Sequence, residues 1–298
     1  MRANIFERLQ QSGYDVKYEI NKLHNMFTEQ IYEVVQESIY HTPTERCSVE
    51  RAVDMFAFHA WKQRHSLLSL DELKRKIGIK DFIMTIRKNA LKVNEHANEI
   101  ILYVEYMINI LMLAKRMLNN SKHACDLKNY IIRFDNAKIK MILQNINIFL
   151  DNTNLESHSM GGDEKFILVE KNATVTAVAE IVSDDLLYPV IEYNHHLLQG
   201  NIIRKREILK KFADDLEPKR KELKNLQKAA EDSLFYMFNK LNIRHNNNDI
   251  KEVANMGEEE LESWYDEIYQ LVLYCYLILD NNPRIAKLKD LQNKIENR

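Results

Sequence analysis

Glycine and proline are nearly missing from this sequence, at six and four in 298 residues, where ordinary usage gives roughly 20 and 15. Tight turns, bulges and hairpins consume both residues, so a chain this poor in them has few places to reverse sharply. Long helices joined by few connections are the folding solution left open. The expected fold is therefore all-α: two helical bundle units with long amphipathic helices, and at most one short strand segment near 165–170. The hydrophobic share, 45%, supplies enough apolar surface for a real core, and the length suits about two domains.

Charged residues make up 29% of the chain, yet the net charge is only −2. Balanced charge at high density is what helices with laced polar faces carry, and it gives no global basic field for nucleic acid. Cys47, Cys125 and Cys275 stand far apart, without zinc spacing or the even count of a disulfide framework. They read as idle thiols of a reducing compartment. The first residues are charged and lack an apolar signal core. The longest apolar stretch, Ile100 to Ala114, is interrupted by Glu105 and Asn109, too short and polar for a bilayer span. A cytoplasmic protein with no membrane partner is the expectation.

Apolar residues recurring at three and four predict helices over 17–40, 81–119 (with a break near Asn89 or Asn94) and 125–150. Ser48 is a candidate cap for another, and Ser69-Leu70-Asp71-Glu72 has the form of a capping box. The polar stretch 151–163 holds the only Gly-Gly pair and is expected to link an N-terminal helical domain (1–150) to a C-terminal one (164–298). Helices follow over 174–199, 201–216, 218–243, 258–280 and 284–296, with Asn281-Asn282-Pro283 separating the last two.

The least ordinary string is Leu241 to Asp249, where Arg244, His245, Asn246 and Asp249 gather at a helix end. Arginine offers a bidentate fork to a phosphate, and histidine exchanges a proton near neutral pH. The same string also reads as a plain helix C-terminus, with cations on the dipole and an asparagine in the left-handed cap. An arginine-polar pair ending one long helix before another resembles the HEPN domains of bacterial abortive-infection and phage-defence proteins, over roughly 165–298. The resemblance implies a compact, usually dimeric bundle, often a metal-independent ribonuclease. Arg244 would then bind the scissile phosphate, and His245 would act as acid–base or orienting group. Asn246 and Asp249 would support them. Members of that family leave four to six residues between the arginine and a histidine; here His245 is adjacent instead. Arg116 and His123 have the wider spacing, but Met117 follows the arginine and chance supplies one or two such matches.

Arg204, Lys205, Arg206, Lys210 and Lys211 begin a basic run that suits RNA backbone contact, or, with its interleaved acids, a solvated face. Asp185, Glu192 and His196 share a helix face. Glu192 and His195 have a di-iron spacing, but no second Glu-x-x-His exists to complete it. No metal and no cofactor is called for. The leading function is a defence-type protein with a HEPN-like, metal-independent ribonuclease domain. The alternatives are a non-catalytic helical interaction subunit that binds a partner through an exposed helix face, and a sequence-tolerant RNA-binding protein. The implied partners are RNA, a partner protein, or a second copy.

Overall fold

The computed structural model of the chain describes residues 13–30, 32–36, 43–64, 66–119, 130–133, 136–161, 165–244 and 256–296, most of them helical. They divide into two units, 1–168 and 169–298.

In the first unit, α1 (Val16–Thr28) starts where the Asp15 side chain accepts the Tyr18 N–H at 2.9 Å, and it buries Ile20, Leu23 and Phe27. The helix expected over 17–40 stops there. Residues Tyr32–Gln36 form β1 instead, the centre of an antiparallel sheet with β2 (Pro43–Cys47) and β3 (Tyr130–Arg133), in the order β2-β1-β3. Pro43 sits on an edge strand, where a missing N–H is tolerated. Helix α2 (Val49–Phe56) is capped by Ser48, and α3 (Leu70–Lys76) by Ser69, whose hydroxyl accepts the Glu72 N–H. Glu72 reaches back as expected, but accepts from the Leu68 N–H, one residue before the cap.

The long helix expected over 81–119 is two: α4 (Ile79–Arg87) and α5 (Ala97–Asn119), separated where Asn89 takes a left-handed φ of 52°. Helix α5 is the spine of this unit, with Ile100, Val104, Met107, Ile110, Leu111 and Ala114 sealed from solvent. Helix α6 (Asn136–Asn152) packs on α1 and α5. It leads into β4 (Leu155–Met160), which pairs with β5 (Lys165–Glu170).

The two polar residues of α5 serve β5. Asn109 donates to the Phe166 carbonyl and accepts the Phe166 N–H, both at 2.9 Å, and Glu105 accepts the Leu168 N–H at 3.0 Å. Side chains one turn apart thus bond backbone groups of β5 as a neighbouring strand would. By length and composition alone α5 is long and apolar enough to cross a membrane, contrary to the sequence expectation; here most of its apolar window is buried in the protein.

Two expectations need correction. The described residues hold five strands in two sheets, not one strand at most, although helices still dominate. The 151–163 stretch is not a bare linker: its described part carries the end of α6 and all of β4, with Thr153 and Leu155 buried, and the division between units falls at Leu168/Val169.

The second unit contains α7 (Ala173–Ala179), α8 (Asp184–Glu192), α9 (Ile202–Leu216), α10 (Arg220–Leu226), α11 (Lys228–Lys240) and α12 (Glu258–Glu296). Helix α12 packs against α7, α9, α10 and α11, burying Tyr265, Ile268, Tyr269, Val272, Leu273 and Tyr276. Pro283 does not end it: 258–280 and 284–296 are one helix of 39 residues, about 58 Å long.

Candidate functional site

The basic run of α9 is largely occupied within its own unit. Arg204 forms a two-pronged pair with Glu192, at 2.9 and 2.8 Å, and a third contact with Glu207 at 2.9 Å. Those bonds hold the guanidinium pKa above its ordinary value. Lys205 is buried, and its ammonium lies 2.6 Å from Asp266, 2.8 Å from Glu262 and over the Tyr193 ring. Burial alone would raise the Glu262 pKa; the Lys205 ammonium and the Gly200 N–H outweigh it and hold the carboxyl low. Tyr193 stacks on Tyr269 at 4.0 Å and donates to Asp266, so burial and that carboxylate push its phenol pKa up. These are the ties of α9 to α8 and α12. Arg206 is half-buried, and only Lys210 and Lys211 of the five expected RNA contacts are exposed.

Arg244 is the one expected catalytic residue within the described structure. Its guanidinium pairs with Glu217, at the end of α9, at 2.8 Å. Glu217 also lies 3.9 Å from Arg220, and Arg220 bonds the fully buried Glu231 and caps the Phe235 ring. The chain enters this ladder through Asn242 at a φ of 56°, the left-handed turn that the helix-end reading predicts. His245, Asn246 and Asp249 lie outside the described residues, as do Cys125 and His123; Cys47 and Cys275 are both buried.

The Glu192-x-x-His195 spacing does not mature into a metal pair within this unit, because both Glu192 oxygens hold Arg204. The His195 and His196 rings lie 4.4 Å apart, and burial followed by His195 presses the His196 pKa down to about 3. Asp185 is exposed in the first turn of α8, its pKa lowered first by the Ser183 hydroxyl.

What remains unexplained by the core is the outer face of α12. Trp264, Tyr274, Ile285, Leu288 and Ile295 are 40%, 46%, 52%, 60% and 64% exposed, while Leu271 and Ile278 between them are half-buried, packed in part against this unit's core. They fall at alternating steps of three and four, with Glu267, Asn281 and Gln292 filling the other positions of an unbroken heptad series from 264 to 295. The inward-facing residues of α12 follow a separate stripe. Asn282 donates to Glu222 on α10 at 3.2 Å, and every described residue after it, 283–296, is exposed. Pro283 falls about 160° around the helix from Ile285, away from the seam. The sequence reading missed this seam because Asn281-Asn282-Pro283 cut it in two; 3-4 spacing read across that break was the signal.

Comparison with known proteins finds no matching family model, no similar curated protein and no similar solved structure.

Proposed function

We propose that this protein is a helical protein–protein interaction module whose binding surface is the outer heptad face of α12. The observation that carries this reading is the run of exposed Ile285, Leu288 and Ile295 on the seam, with exposed Leu291 beside it, on a helix segment to which the described residues give no cover. Isolated apolar residues on a surface need no explanation, but a continuous stripe at coiled-coil spacing marks a surface made to be covered. The ion pairs of Arg204, Lys205 and Arg244 turn the strongest cationic groups inward, which weakens the case for RNA as the main partner.

The test is a photo-reactive residue placed at Leu288 or Ile295, with exposed Lys210 as control, irradiated in cells that express the full chain. Adducts with a polypeptide at the two seam positions but not at the control support the module. Nuclease-sensitive adducts at Lys210 alone would instead favour RNA binding. Metal-independent RNA cleavage, lost in Arg244→Ala, would replace the module with the ribonuclease reading.

A further inference from the structure

We infer that the occupant of the α12 seam is a second copy of this chain, running antiparallel; this rests on the reading of that face as a protein-binding surface. The argument is one of charge and register. The first ten residues of α12, 258–267, hold six acids and no lysine or arginine, whereas 284–296 hold Arg284, Lys287, Lys289 and Lys294 against Asp290 and Glu296. A parallel pair would set acid beside acid at one end of the contact and base beside base at the other. An antiparallel pair sets the acidic beginning of each helix against the basic end of the other. Some of this field is spent internally, because Glu262 and Asp266 already hold Lys205; Glu258, Glu259, Glu260 and Glu267 remain on exposed positions.

Full antiparallel overlap also fixes which seam residues meet. With Trp264 facing Ile295 of the other copy, Leu271 faces Leu288, Tyr274 faces Ile285, and the polar Glu267 faces the polar Gln292. Apolar layers thus meet apolar layers, and the one acidic seam residue meets an amide that donates to it. Only the central layers, where Ile278 meets Asn281, are mixed; a polar residue at such a site fixes register at some loss of stability. The contact runs about 46 Å along each helix. It removes on the order of 1,000 Å² of surface over the two copies, the lower edge of a specific interface. A self-contact of this kind is isologous and closes at two copies. An anionic lipid surface would attract the lysines but repel the acidic first half of the same seam.

Sedimentation equilibrium of the full chain across a dilution series, with disulfide mapping, tests this. A monomer–dimer equilibrium is expected, weakened about 100-fold or more by Ile285→Asp/Leu288→Asp, which places two charges in the seam. Both sites are exposed, and unchanged circular dichroism would show that the variant folds. In a Cys125→Ser background, chains carrying Leu271→Cys mixed with chains carrying Leu288→Cys should form the mixed disulfide on mild oxidation, since only facing positions come within bonding range. Self-linked Leu288→Cys dimers without the mixed product would mean a parallel pair and overturn the proposal. So would a chain that stays monomeric at every concentration. If that monomer still gives seam adducts with a different polypeptide, the second copy alone is lost. If it gives no adducts, the interaction reading falls with it.

Discussion

Lys205 is a charge enclosed by its counter-charges. Removing the ammonium while leaving Glu262 and Asp266 in place strands two carboxylates, one of them mostly buried. Lys205→Met should therefore destabilise the protein by about 2–3 kcal/mol, at or just below the low end of the range for breaking a fully buried pair because Asp266 is half exposed; urea unfolding measures it. In the first unit, His24 meets the Tyr103 hydroxyl at 2.6 Å, and burial, then Arg87, lowers its pKa. Because the folded pKa lies below the unfolded one, the unfolded chain takes up the proton first as pH falls. The His24 contribution is thus complete above about pH 6.5 and is lost progressively below it. His24→Leu should narrow the stability difference between neutral and mildly acidic pH; an undiminished difference would show that other groups carry it. Residue roles were the least legible part of the sequence. Arg204, Lys205 and Arg244 have the composition of a phosphate site, yet their acids come from residues 12 to 61 positions away, which no local spacing reveals.

At the scale of elements, β5 depends on α5. Asn109→Leu removes both bonds to Phe166, and Glu105→Gln keeps an acceptor for the Leu168 N–H but loses its charge. The first change should cost about 1–3 kcal/mol and speed amide exchange at Phe166, while the second should cost less. Equal effects would mean that packing, not these bonds, holds the strand. Elements were legible where a cap or an amphipathic stripe marked them. Ser48 and Ser69 start helices, and Asn89 breaks one. Of the strands, only β5 was, as the short segment expected near 165–170. In β1, Val34 and Val35 fit a continuing helix pattern as well as a strand, and no glycine or proline follows Thr28 to force the break. In β4, Leu-Glu-Ser-His-Ser-Met has no β-branched or aromatic residue, and its pairing with β5 supplies what propensity does not. Pro283 misled in the opposite direction. It falls on the side of α12 opposite the seam, in a helix that stays continuous with the Asn282–Glu222 bond before it and the Asp280–Arg284 pair across it.

For the molecule as a whole, the scarcity of glycine and proline did its expected work: helices carry both units, and each has its own apolar core. The second unit alone carries a helix longer than its core requires, and the surplus, 283–296, bears the exposed half of a heptad seam. Exposed aliphatic residues contribute little to the fold of a single chain. Ile285→Asp/Leu288→Asp should therefore change its unfolding free energy by no more than about 0.5 kcal/mol under dilute conditions. A larger loss would place that segment in the core of the unit.

Amide exchange over 284–296 bears most directly on the claim that a second copy of the chain covers this face. A helical stretch of between three and four turns without packing is marginal in water, so its amides should exchange rapidly in dilute solution. The account expects that exchange to slow as the concentration of the full chain rises, and to stay rapid at every concentration in Ile285→Asp/Leu288→Asp. Rapid exchange in both proteins regardless of concentration would contradict it.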